Sequence, residues 1–232
     1  MYKEKYAAWY TQHREAIYRD YFQFLRFPSI STLPEHVQDV RKAAAWLCDY
    51  LNKKGLAVEL WETPGHPVVF AQTPFVSGAP TVLIYGHYDV QPVDPLELWH
   101  TDPFDPVVKD GAVFARGALD NKGQCFYAIQ AVLAYMDVCK GAHLNIKLFI
   151  EGEEESGSEG TEHIVLRKKE ALQADHLWVV DMNMLGEGKP ALTLGVRGLV
   201  TMDLCCRTGL SDKHSGMYGG IARNPHRELT HI

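Results

Sequence analysis

The sequence has no long apolar run. Its most hydrophobic stretches, such as VLIY at 82–85, are of strand length, whereas a helix that crosses a bilayer needs about 20 apolar residues. A membrane-spanning helix is therefore excluded. Positive charge is not in surplus either: 23 Lys and Arg stand against 29 Asp and Glu, for a net charge of -6. No basic stripe offsets that balance, which argues against a nucleic-acid binder. Cysteine is sparse: Cys48, Cys125, Cys139, Cys205 and Cys206 form no C-x-x-C pair. An odd, scattered set reads as reduced thiols of a cytoplasmic protein, with Cys205 and Cys206 as strand neighbours facing opposite sides. The opening MYKEKYAAWYTQHRE is too charged and aromatic for a secretory signal. Several catalytic signatures are also missing. Gly157-Ser158-Glu159-Gly160 lacks the ending of a phosphate loop, and there is no G-x-S-x-G elbow and no H-E-x-x-H. Hydrolysis assisted by a bound metal is the chemistry these absences leave.

What is present is ordinary globular material, with 46% hydrophobic and 22% charged residues, and 19 Gly and 12 Pro among 232. That composition excludes disorder and low-complexity scaffolds. The first 26 residues carry apolar positions at helical spacing. FPSIST at 27–32 breaks the pattern, and Pro34 opens a second helix that Gly55 ends. The period then changes to β-rich runs at 57–61, 67–72 and 81–86, separated by Pro and Gly turns. A helix is expected from Gly123 to Val138, a strand at 144–150, a helix from Gly157 to about Leu172, and a strand at 176–180. The alternation predicts an α/β fold with a mixed, largely buried central sheet flanked by helices. ALTLGVRGLVTMDLCCR, from 191 to 207, reads as strand, hinge and strand opening a smaller α+β domain.

Three of the most apolar strands run into potential metal ligands. LIYG leads to His87 and Asp89, LNIKLFI to Glu151, Glu153, Glu154 and Glu155, and LWVV to Asp181. Ligands of open α/β sheets bind beyond the carboxyl ends of the strands. An acidic run is ordinarily a solvated loop, but this one follows a strand that reads as buried. Adjacent carboxylates in a partly dry cleft need a compensating cation, and a divalent ion supplies one. Residues two apart in extended chain point the same way, so Asp89 can reach the far nitrogen of His87, the usual support of a histidine ligand. Asp120 sits in a Gly-flanked turn before a helix, where a capping role is the ordinary one.

GHYDVQP at 86–92, WHTDPFDPVVKDGAVFARGALDNKG at 99–123, EGEEESGSEG at 151–160, Asp181 with LGVRG at 194–198, and DKHSGMYGG at 212–220 form an ordered set. It resembles the two-metal exopeptidase and amidohydrolase family of carnosinases, carboxypeptidase G and succinyl-diaminopimelate desuccinylase, and most closely the carnosinase-like dipeptidase branch. The resemblance implies two divalent ions, Zn²⁺ first, with Mn²⁺ or Co²⁺ as substitutes. It makes His87 and Asp181 ligands of one ion, Asp120 the bridging carboxylate and Glu155 a ligand of the other. Glu154 is then the general base toward a water between the ions, and Asp89 orients His87. His214 becomes the oxyanion donor, delivered from a lid to the neighbouring subunit of a homodimer. A cis peptide after Asp120 is also implied.

The implied substrate is a dipeptide or short peptide, with an N-acyl amino acid as the alternative, and no nucleic acid or membrane partner is expected. Members of the family are longer and supply a further histidine to the second ion. The expected organisation is therefore a catalytic portion at 1–194, lacking its C-terminal part, followed by the start of a lid at 195–232. A non-catalytic remnant that binds at most one ion is the competing expectation. His226 and His231 read as surface histidines rather than substitute ligands.

Overall fold

The computed structural model describes residues 2–140 and 143–231. They form two compact units, Met1–Asn183 and Met184–Ile232. In the first unit α1 (Tyr2–Leu25) is followed by a short 3₁₀ turn at Pro34–His36 and by α2 (Val37–Lys53). Then come β1 (Ala57–Trp61), β2 (Val68–Gln72) and β3 (Thr81–His87), a small hairpin of β4 (Val107–Lys109) and β5 (Ala112–Phe114), and α3 (Lys122–Cys139). β6 (Asn145–Glu151), α4 (Glu159–Arg167) and β7 (His176–Val179) complete it. Among the described residues no helix is long and apolar enough to cross a membrane.

The main sheet has the order β1-β2-β6-β3-β7. β1 pairs antiparallel with β2 and β2 with β6, while β3 lies parallel to both β6 and β7. It is the mixed sheet that the alternation of periods predicts. Side-chain alternation sends Val69, Ala71, Val82, Ile84, Ile146, Leu148 and Ile150 to one face, where α1, α2 and α3 supply Phe24, Leu47, Leu51, Phe126 and Ile129. The opposite face gathers Val68, Phe70 and Phe149 with Trp61 and with Ile164 of α4. Each fully buried aliphatic or aromatic side chain stabilises the fold by about 1.5–3 kcal/mol, so the two-sided apolar runs are what hold the central strands in place. α2 shows the spacing at work: Val40, Ala44, Leu47 and Leu51 are all buried on one stripe.

Three differences from the sequence expectation have physical causes. The helix expected to run to Leu172 stops at Arg167. Beyond it the chain continues in turns, whose carbonyls at Ala171 and Gln173, free of any intrahelical partner, accept from Lys147 Nζ at 2.6 and 2.7 Å. The β4–β5 hairpin was not expected, although its turn is Asp110-Gly111 with φ of 52° and 80°. Two successive positive φ values are what a two-residue hairpin turn requires, and Asp-Gly meets that demand.

The strand–hinge–strand pattern at 191–207 is not realised. No strand lies in the second unit among the described residues, only an isolated bridge between Gly186 and Lys189. A strand exists by pairing, and a β-rich run without a neighbour has no ladder to join. Leu194 is left 90% exposed, and Cys205 and Cys206 belong to no strand. That unit contains two short helices, α5 (Ser215–Tyr218) and α6 (Pro225–Leu229). α6 is capped by Asn224, which accepts from the His226 N–H at 2.9 Å, with Pro225 in the first turn.

Candidate metal centre

β3, β6 and β7 run parallel, so their carboxyl ends meet at one rim. His87 is the last residue of β3, lies opposite Glu151 of β6 and is fully buried. Its Nδ1 is 3.2 Å from the Asp89 carboxylate and 3.1 Å from the Asp89 carbonyl, which sets the proton on Nδ1. In the neutral ring, the form that can bind a metal, the lone pair is therefore on Nε2. That nitrogen faces Asp120 at 3.3 Å, Asp181 at 3.7 Å and Glu154 at 3.9 Å. It is buried without a hydrogen-bond partner among the described residues.

A buried ring nitrogen without a partner is costly unless something else satisfies it. His87, Asp120 and Asp181 offer ligand atoms within 4.8 Å of one another, as do His87, Glu154 and Glu155. Two donors about 2.1 Å from a tetrahedral ion lie roughly 3.4 Å apart, close to the separations seen here. One imidazole with several carboxylates is a donor set for borderline and hard divalent ions. The residues present fit a divalent metal.

The electrostatics point the same way. Burial opposes protonation of His87, but the Asp89 hydrogen bond and the charges of Asp89, Asp181 and Glu154 outweigh it and push its pKa up to about 9. Glu154 is raised by burial and by Asp181 and Glu155, partly offset by His87. Glu155 is raised by burial and by Asp120, against a lowering by its bond from Gln91, whose Nε2 donates at 2.7 Å.

The acidic run divides in two. Glu151 accepts from Tyr85 OH at 2.6 Å and from Thr161 OH at 2.7 Å. Glu153 accepts the His66 N–H at 3.0 Å and the Thr161 N–H at 2.9 Å. Only Gly fits at 65, because a Cβ there would lie 1.8 Å from the Glu153 carboxylate. Glu154 and Glu155 open a one-turn 3₁₀ segment, Glu154–Ser156, which ends at Gly157 with φ of 101°. Their own N–H groups donate to the two oxygens of Asp89 at 3.2 and 3.1 Å. Asp89 therefore ties both the histidine and the glutamate pair to the rim, which the sequence reading assigned only in part.

The structure brings together His87, Asp89, Asp120, Glu154, Glu155 and Asp181. The Asp120–Asn121 peptide is cis, as the resemblance implies. His214 lies in the second unit, where it is exposed and its Nδ1 accepts from the Gly216 N–H at 3.1 Å as the cap of α5. Sequence reasoning missed Asn121 as a side chain. It is fully buried and bonded to His87, Val180 and Asp181. The only sequence signal was its place directly after Asp120.

Fold and site together define an open α/β domain with a group of His, Asp and Glu side chains at the carboxyl rim of its sheet that could hold a divalent metal. Residues 83–208 match Peptidase family M20/M25/M40, and the chain belongs to that family. It is 34% identical over 216 residues to the Beta-Ala-His dipeptidase of Mus musculus, covering 87% of this chain and 44% of that protein. It is 36% identical over 174 residues to the Cys-Gly metallodipeptidase dug1 of Schizosaccharomyces pombe, covering 74% of this chain and 37% of that protein. Among solved structures, human carnosine dipeptidase 1 superposes with a TM-score of 0.78 at 30% identity, covering 99% of this chain and 51% of that one. These are dipeptidases of the branch that the motifs resemble. The chain spans less than half the length of the curated relatives it matches.

Proposed function

We propose that this chain carries the metal-binding part of a two-metal dipeptidase that hydrolyses the amide bond of dipeptides or short peptides. The observation that carries the reading is His87 Nε2, buried, unpartnered and faced by carboxylates from separate segments. In this reading His87 and Asp181 hold one ion, Asp120 is shared, and Glu155 serves the second. Zn²⁺ is the ion that the family resemblance implies first, with Mn²⁺ or Co²⁺ as substitutes, and one imidazole with carboxylates accommodates all three. Such ions supply Lewis acidity, polarising a carbonyl and easing deprotonation of water at neutral pH.

The remaining steps belong to side chains. Glu154, its proton affinity already raised by burial, takes the proton that the attacking water gives up and returns it to the leaving amine nitrogen. Asp89 keeps the His87 proton on Nδ1, so that Nε2 stays free to bind. His214 is the donor to the developing oxyanion, contributed by a second copy in a homodimer. Residues 1–194 form the catalytic portion and 195–232 begin a lid. A cytoplasmic setting is supported by the free state of all five cysteines.

The test is direct. The protein is loaded with Zn²⁺ or Mn²⁺, its metal content is measured, and amino-acid release is followed on a dipeptide panel beside N-acetyl amino acids. Release from dipeptides is expected. Failure to retain any metal overturns the reading, and release from the acylated panel alone makes the protein an amidohydrolase.

A further inference from the structure

Asn121 stands where a helix cap is expected, yet its side chain makes no capping hydrogen bond to α3. It is turned into the sheet instead. β3 and β7 pair in parallel up to Tyr85 opposite Val179, and the Val180 N–H still donates to the Tyr85 carbonyl at 3.0 Å. In a parallel ladder the next rung would run from the His87 N–H to the Val180 carbonyl. That rung is filled by the Asn121 amide. Oδ1 accepts from the His87 N–H at 3.1 Å, and Nδ2 donates to the Val180 carbonyl at 2.7 Å. The second Nδ2 hydrogen goes to Asp181 Oδ1 at 2.8 Å. One side faces a donor and the other two acceptors, so a flipped amide would set like against like. The space for the insertion comes from Gly86, where a Cβ would stand 3.0 Å from Asn121 Oδ1 and 3.3 Å from the Val180 side chain.

We propose that Asn121 is a positioning residue, a side-chain spacer wedged between β3 and β7 that sets the separation of His87 and Asp181 for one ion. The proposal rests on the two-metal reading above. Without the amide, the His87 N–H and the Val180 carbonyl are free to bond each other, and the two strand ends close. The ligands carried by the next atoms of each chain then move with them. The same amide also fixes which oxygen of Asp181 remains free, because Oδ1 is engaged and Oδ2 is the one facing His87 Nε2 at 3.7 Å.

The test titrates the full chain with Zn²⁺ alone against a chromophoric chelator, for the unmodified protein, Asn121→Ala and His87→Ala. Outer-shell partners of metal ligands typically contribute 10–100-fold in affinity. Asn121→Ala is therefore expected to bind its tightest Zn²⁺ about 10–100-fold more weakly, with a shifted visible spectrum when loaded with Co²⁺. His87→Ala loses that ion. Unchanged affinity and spectrum in Asn121→Ala overturn the spacer while leaving the metal reading intact. If the unmodified protein takes up no Zn²⁺, the metal reading falls, and with it the spacer's role in placing ligands.

A measurement on the unmodified, metal-free protein covers the case in which Asn121→Ala does not fold. Through-hydrogen-bond NMR coupling from the His87 amide nitrogen is expected to reach Asn121 Cγ. Coupling to the Val180 carbonyl carbon instead would mean that the rung is closed, and it would overturn the proposal.

Discussion

Within one five-residue run, Glu151 and Glu153 are chemically identical to Glu154 and Glu155 and differ from them in every surrounding. The first two are buried and saturated, each carboxylate receiving two hydrogen bonds from within the fold. The other two are partly exposed, held at their backbone by Asp89, and turned toward His87. The cause is the strand end followed by a single 3₁₀ turn, which re-aims side chains within one residue. A carboxylate's role is decided by what its oxygens meet, and neighbouring positions in one motif need not share it.

The comparison is broken most sharply by Glu154→Gln. Loss of a general base is expected to lower turnover about 10²–10⁴-fold while Zn²⁺ content is retained, as read by dipeptide hydrolysis beside elemental analysis. Turnover equal to that of the unmodified protein would remove Glu154 from the chemistry. Glu153→Ala should do the reverse. Two backbone N–H groups lose a charged acceptor, so the protein loses about 2–4 kcal/mol in urea unfolding, with Zn²⁺ stoichiometry unchanged.

The pH dependence of the metal-free protein sharpens the contrast further. His87 is raised from 6.5 to about 9, so its stabilising contribution is complete below pH 6.5 and lost as pH rises through about 9. The raised acids Glu154 and Glu155 act with the same sign at lower pH, since a carboxyl that prefers its proton when folded loses that contribution as pH rises through its folded pKa. Thermal midpoints of the metal-free protein should therefore fall between about pH 6.5 and 9, and Zn²⁺ should flatten that fall. The smallest effect is expected for Glu151→Gln. Its shape is kept and its charge is already disfavoured by burial, so stability should change by no more than about 1 kcal/mol.

Much of the scaffold was legible because period and burial coincide. α1, α2, α3 and the strands β1, β2, β3 and β6 fall where apolar spacing puts them and bury the apolar positions that pack the core, whereas β7 forms where expected but leaves His176–Val179 exposed. His87 with Asp89 was legible from the two-residue spacing of extended chain. Asp181 and the glutamate run were legible as candidate ligands from their places at strand ends, whereas the separate roles of Glu154 and Glu155 and the part of Asp120 came through family resemblance. What sequence could not display was lateral. Asn121 acts across a gap between strands that are remote in the chain, and no local pattern encodes the width of that gap. The fates of Ala191 to Arg207 and of β3 differ for a similar reason. Both runs are β-rich, but only Thr81–His87 has neighbours on both sides. The Asp110-Gly111 turn, by contrast, was there to be read.

The parallel pairing of β3 with β6 and β7 also bears on the order in which the molecule forms. A crossover through α3 separates β3 from β6, and another through α4 separates β6 from β7. Such non-local pairings close long loops and form slowly compared with helices and hairpins. His87 meets Glu154 and Glu155 only after the first crossover has closed, and Asp181 only after the second, so before the sheet assembles the chain offers an ion only isolated, weak ligands. Metal uptake is therefore expected to follow assembly of the sheet rather than guide it, and refolding rates in Zn²⁺ and in a chelator should differ little until the last step.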